Sequence, residues 1–307
     1  MDPRFSLKRY PRVDRVYELK SSFNFEAMNA KVYLDRKRGK FEEGSRWLVH
    51  LLIGIVVGII AFFMTLFEDE LVKLHGNVVQ MMLDNGRTVQ YTYAYWAAFS
   101  VVCAFIAGLL TVYIGPGAYG SGVPEVMGIL NGVRVDNAMD ISTLIIKIVA
   151  VEFAVISGLA VGKEGPLLHI GAIVGWIIPY LPMKCFECFR NDTDKRTFMA
   201  AGASAGVSAA FGSPIGGALF TYEISKPTSF WTFSMLWRVF FTCAISTLTL
   251  AILYSLNNGS VLSLNSAAVL KFGTLAKFDS PLSDFYIAII LGIICGLLGA
   301  FFIYVYV

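Results

Sequence analysis

The fold class predicted from the sequence is an all-α membrane protein whose helices are broken inside the bilayer, and three observations predict it. The 307 residues are 56% hydrophobic and 15% charged, against roughly 25% charged in soluble domains, and the mean hydropathy is +0.64. That composition argues against a soluble enzyme. Several apolar segments, beginning with Trp47 to Phe67, are long enough to span a bilayer. Finally, Gly162-Lys163-Glu164-Gly165-Pro166 interrupts apolar sequence, with Ile145 to Val161 before it and Leu167 to Val174 after it.

The interruption organises everything else. Glycine and proline stop a helix, and proline suits the first turn of the next. Broken backbone at membrane depth survives only where protein or a water-filled cavity satisfies it. The start of a half-helix there aims free N–H groups and a positive dipole at whatever occupies the cavity. The expectation is an anion site.

Taken in order, residues 1–45 are expected to form a cytosolic tail. Residues 1–46 hold twelve Lys/Arg against seven Asp/Glu, whereas Glu68-Asp69-Glu70 follows the first span, so the positive-inside rule places the N-terminus in the cytosol. The run Arg36-Lys37-Arg38 with Lys40 is read as a solvated stretch touching acidic headgroups. No apolar core marks a signal peptide.

Residues 46–256 are expected to form one transmembrane unit. The span Trp47 to Phe67 carries Gly54 and Gly58 at the spacing that lets another helix approach closely. A polar segment over 68–94 precedes a returning span from Tyr95 to Ile114, flanked by Tyr91, Tyr93 and Trp96 as an interfacial belt. Gly115 to Glu125 is glycine-rich, but with no preceding strand and no following Gly-Lys-Ser/Thr it is not a nucleotide loop. It reads as a second broken-helix turn, with Pro124 opening a short helix over Glu125 to Leu130 and Ser121 offering a hydroxyl and an N–H.

Asp140 to Val161 is the third long helix and carries Lys147 and Glu152, candidates for function because charges in spans are costly. His169 is read as a hydrogen-bonded core histidine. Lys184 to Arg196 is a polar cytosolic segment, which leaves its sequon at Asn191 unused. Thr197 to Phe211 is a helix of small residues, Gly212 to Gly217 breaks it, and Ala218 to Glu223 resumes it. Three interrupted helices in one stretch mark a transporter or channel with a midplane site.

Trp231 to Leu256 spans again, residues 257–284 form a luminal or extracellular loop with a sequon at Asn258, and residues 285–307 begin a further span containing Gly292 and Gly296. The chain stops inside that span and reads as truncated. Cys103, Cys243 and Cys295 lie in apolar spans as small hydrophobes, and Cys185-Phe186-Glu187-Cys188 has no second pair that would make a metal or redox framework.

Three motifs in one order carry a resemblance. Gly120-Ser121-Gly122-Val123-Pro124-Glu125, Gly162 to Pro166 and Gly212 to Phe220 resemble the signatures of the CLC family of chloride channels and chloride/proton exchangers. Leu159 to Pro166, Phe230-Trp231 and Trp237 to Phe241 are most similar to its eukaryotic endolysosomal branch. The resemblance implies a fold of tilted and broken transmembrane helices, here the first inverted repeat plus the first helix of the second. It also implies a homodimer with one pathway per subunit, in the endolysosomal or plasma membrane. Chloride is the transported ion, with no cofactor, no metal and no nucleic-acid partner.

Position by position, the resemblance makes Glu164 the gating glutamate and Ser121, Gly122 and Gly165 chloride-binding residues, the serine favouring chloride over nitrate. Lys147 becomes the buried lysine of the proton side; Glu152, which has no counterpart in the family motifs, and Glu223 are further proton-side candidates read from this sequence. One departure bears on mechanism. Exchangers of the family usually carry two acids at the end of the short helix, and here the pair is Glu223-Ile224. Isoleucine cannot titrate, so a voltage-gated channel is the first reading and a chloride/proton antiporter the alternative. A third reading, given the truncation, is a non-conducting subunit that modulates a full-length partner.

Overall fold

The computed structural model describes residues 40–182, 184–225, 231–257 and 282–306. Residues 1–39 of the expected 1–45 tail and residues 258–281 of the expected 257–284 loop, with the Asn258 sequon, lie outside them. Among the described residues every regular element is a helix, joined by turns and loops. The chain divides into two compact units at Leu270/Lys271. In the second unit the described element is the helix Leu282–Tyr306, named α9 below.

In the first unit, α1 is Lys40–Asp84, α2 Val89–Leu109, α3 Val123–Leu130, α4 Ile141–Ile156, α5 Glu164–Ile177, α6 Asp192–Phe211, α7 Pro214–Ile224 and α8 Phe233–Asn257. Four described helices, α1, α2 with the π-turn Leu110–Ile114, α8 and α9, are long and apolar enough to cross a membrane. The shorter α3, α4, α5 and α7 lie on either side of the expected breaks.

The α1 helix runs 45 residues, or roughly 67 Å at 1.5 Å per residue, and so does not stop at Phe67 as hydropathy suggests. The polar continuation lacks proline and carries its own support. Lys73 Nζ meets Glu70 Oε1 at 3.0 Å, Gln80 donates to Asp84 at 3.0 Å, and His75 stacks on Phe99 of α2 with ring centroids 4.1 Å apart. The Gly54/Gly58 spacing does what it predicts. A Cβ at Gly54 would lie 2.8 Å from the Thr242 carbonyl oxygen and one at Gly58 2.7 Å from that of Ser246, so α1 and α8 pack backbone to backbone.

A tighter seam joins α5 and α6, the most extensively packed pair of helices. Side chains at Gly171, Gly175, Gly202 or Gly206 would overlap the opposing backbone. Where lipid surrounds a protein, such close van der Waals contact replaces the hydrophobic effect between helices. At the N-terminal end of α1, Arg46 pairs with Asp194 at 2.5 Å with its guanidinium 4.9 Å from the Phe189 ring centre, and Arg238 pairs with Glu43 at 2.6 Å. The Asn191 side chain caps α6 by accepting the Asp194 N–H at 2.8 Å.

The boundary of α4 differs from expectation. Apolar sequence continues to Val161, yet the helix ends at Ile156 and Gly158 turns the chain with φ +76°. Glycine enters that left-handed region without the Cβ penalty other residues carry. Residues 157–163 therefore form a loop that delivers Lys163 and Glu164 to the start of α5.

Candidate anion site

Two helix starts meet at the candidate site. Gly122, with φ +80° and ψ −3°, is the N-cap of α3, and Lys163 is the N-cap of α5; neither N-cap residue makes a side-chain capping bond, and at α3 only the neighbouring Ser121 hydroxyl accepts a first-turn N–H. By contrast, α7 is capped by Ser213, whose Oγ accepts the Gly216 N–H at 3.1 Å. In α5 the proline at 166 has no N–H and Leu167 N–H bonds the Lys163 carbonyl at 2.9 Å. Helix geometry thus leaves the N–H groups of Glu164 and Gly165 without an intrahelical acceptor. The two starts touch: a Cβ at Gly165 would stand 2.8 Å from the Ser121 Cβ.

Ser121 is exposed and its Oγ accepts the Val123 N–H at 3.3 Å, which leaves the hydroxyl proton to donate elsewhere. A cavity of about 520 Å³ opens beside it, bounded by Gly120, Ser121, Leu159, Val161, Gly162 and Pro166 on one side and by α2 and α4 on the other. Neutral N–H and O–H donors at convergent positive helix ends suit an anion that must be released again. The Glu164 side chain is exposed and folds back over the preceding turn, so that a Cβ at Gly162 would overlap its Oε2.

Lys163 faces the other way. Its Nζ reaches Glu68 Oε2 at 2.5 Å and Thr65 Oγ1 at 3.3 Å, tying the α5 start to α1. Sequence reading did not find this pair, which joins residues 95 apart; the signal available was an acid closing the first apolar span and a base opening the break.

The structure separates the proton-side candidates. Lys147 is 0% exposed with no hydrogen-bond partner for Nζ, and its electrostatic neighbours are Glu125 and His169. Glu152, 2% exposed with both carboxyl oxygens unpartnered, has Glu68 and Lys163 as its charged electrostatic neighbours. Five residues apart on one helix, the two point ~140° from each other and lie ~7.5 Å apart along the axis. Glu152 therefore belongs with the Lys163 side. It also lines an apolar cavity of about 260 Å³ between α1 and α4, with Ile60, Phe63 and Phe67. Glu223 is exposed in the last turn of α7; beside it Tyr222 meets Trp231 edge-on at 5.4 Å.

Among the described residues no group of His, Cys, Asp and Glu could hold a metal ion. Burial pushes the Cys188 thiol above its ordinary pKa, which disfavours the thiolate that metal or redox chemistry needs.

Long apolar helices, small-residue seams and two facing helix starts define a multi-pass membrane protein built from interrupted helices. The family profile described as voltage gated chloride channel matches residues 103–307, and the chain belongs to this CLC family. Among its relatives, H(+)/Cl(-) exchange transporter 7 of Homo sapiens is 34% identical over 98% of this chain and 40% of its own length. Chloride channel protein C of Dictyostelium discoideum is 34% identical over 95% of this chain and 39% of its own. The chain thus spans about two fifths of the length of these relatives.

Two solved structures share the fold. A eukaryotic CLC transporter aligns with TM-score 0.62 and 20% identity over 70% of this chain and 39% of its own. A slow cyanobacterial Cl-/H+ antiporter aligns with TM-score 0.63 and 20% identity over 83% and 55%.

Proposed function

We propose that the chain supplies one half of a chloride pathway in a CLC-type membrane protein, assembled as a homodimer with one pathway per subunit. The observation that carries the reading is the contact between the starts of α3 and α5, at Ser121 and Gly165, beside the cavity. Chloride is held there by the Ser121 hydroxyl and by N–H groups at Gly122, Glu164 and Gly165. The Glu164 carboxylate, one residue from Gly165 and able to fold over Gly162, contends with chloride for the same donors and so acts as the gate.

The first reading of mechanism is a voltage-gated channel, supported by Ile224 in place of a second acid. The second is chloride/proton exchange. It is favoured by the similarity to relatives named as exchangers, and by Glu152, a buried acid on the Lys163 side that can carry a proton toward the gate.

Reconstitution of the full-length protein in liposomes tests both readings. Glu164→Ala is expected to free chloride flux from gating; unaltered flux and gating in that variant would remove Glu164 from the account. A chloride gradient that drives protons uphill in fixed ratio selects exchange, and its absence selects the channel.

A further inference from the structure

His169 occupies the second turn of α5 and is 0% exposed. Its Nε2 lies 2.8 Å from the Ala138 carbonyl oxygen. A carbonyl can only accept, so Nε2 carries the hydrogen. The other ring nitrogen, Nδ1, is buried with no hydrogen-bond partner, and it is the first atom a Cβ at Gly122 would strike. The imidazole therefore lies directly against the residue that caps α3.

The residue that holds the ring is itself held. Ala138 belongs to the connector between α3 and α4, and it is 1% exposed. Its neighbour Asn137 has φ +60°, the one described non-glycine residue in the left-handed region. The Asn137 carbonyl accepts the Thr143 hydroxyl at 2.7 Å, and it fills the space a side chain at Gly117 would need. Two successive carbonyls of one connector thus bear on the glycine-rich loop at both ends. Asn137 meets it at Gly117, and Ala138 meets it through His169 at Gly122.

We infer that His169 is a positioning residue for anion selectivity, a buttress that fixes Gly122 and with it the height of the Ser121 hydroxyl and the N–H groups facing the ion. The inference rests on the anion-site reading above. A ring pinned by one hydrogen bond and pressed against backbone leaves Gly122 little room to retreat, and donors held at fixed separation set the cavity size that an ion must fit. An ordinary core histidine would affect stability alone. A buttress changes which anion is preferred.

The test measures the chloride-to-nitrate transport ratio of the full-length protein in liposomes. His169→Gln keeps an N–H donor within reach of Ala138 and is expected to hold the ratio near that of the parent. His169→Leu keeps bulk but loses the donor and is expected to lower the ratio by about three- to tenfold, the range one hydrogen bond supports.

Gly122→Ala, His169→Ala and their combination form a cycle that does not depend on the leucine variant folding well. The combined effect on the ratio is expected to fall short of the product of the single effects, since removing the ring makes room for the new methyl group. An unchanged ratio in a folded His169→Leu protein, or multiplicative effects in the cycle, overturns the inference. Ser121→Ala separates the two levels: if it too leaves the ratio unchanged, the anion-site reading falls and this inference with it. If only the His169 variants are silent, the buttress alone fails.

Discussion

Ser121 and Gly165 come from different helix starts 44 positions apart in the sequence, yet a single added carbon at 165 would sit 2.8 Å from the Ser121 Cβ. The contact sets the spacing of two helix N-termini and, on the proposed anion-site reading, the size of the ion they would share. Gly165→Ala is therefore expected to push the starts apart and slow chloride flux by about tenfold, within the penalty that sub-ångström misplacement carries. Pairing it with Ser121→Gly, which removes the opposing carbon, should recover packing but not selectivity. Flux and chloride-to-nitrate ratios in liposomes check both.

The Lys163 pair with Glu68 and Thr65 holds the residue just before Glu164, the gate proposed above. The Lys163 and Glu68 side chains are partly exposed, at 25% and 22%, so solvent screens the pair and it contributes about 1 kcal/mol or less to stability. Its weight falls on gating. Glu68→Gln is expected to shift the voltage or pH at which current activates while leaving thermal stability nearly unchanged. The exchange Lys163→Glu with Glu68→Lys should restore part of the shift, and loss of gating with no recovery in the exchange would count against the tie.

Glu152 carries a stability cost that the proposed role in proton movement would explain. A buried carboxyl with two unpartnered oxygens is a net cost, so Glu152→Leu is expected to raise stability by about 1–3 kcal/mol. If the protein exchanges protons, the same variant should slow proton movement more than chloride movement. Thermal unfolding in detergent and paired flux assays report the two quantities, and a destabilised variant would mean that the carboxyl has a partner in the assembled protein.

The helix seams make a paired prediction. Gly58 faces the Ser246 carbonyl, whereas Gly76 on the same helix has nothing within 4 Å of a built Cβ. Gly58→Ala should destabilise by about 1–3 kcal/mol through overpacking. Gly76→Ala should be neutral or stabilise by up to about 1 kcal/mol through helix propensity. Equal effects at the two positions would contradict the packing of α1 on α8.

Much of this arrangement was legible in the residues, for identifiable reasons. Glycine and proline announce a break whatever surrounds them, so the turns before α3, α5 and α7 were visible, and Gly54/Gly58 marked a helix contact by spacing alone. Hydropathy, however, follows the solvent and not the backbone. It ended α1 at Phe67 although hydrogen bonding carries the helix to Asp84, and it carried α4 to Val161 although Gly158 stops it. The partners of Lys163 and His169 were not identified because tertiary pairing leaves no local pattern; for Lys163 the one hint was an acid closing the first span opposite a base opening the break. His169 read as a core histidine, and it is one; what the sequence could not show is that its ring rests on Gly122.

The most direct measurement is anomalous diffraction from crystals of the full-length protein soaked in bromide. The account predicts a peak within hydrogen-bonding distance of the Ser121 Oγ and the Gly165 N–H, strengthened in the Glu164→Ala protein. Bromide bound elsewhere in the pathway, with none between the starts of α3 and α5 in either protein, would contradict it.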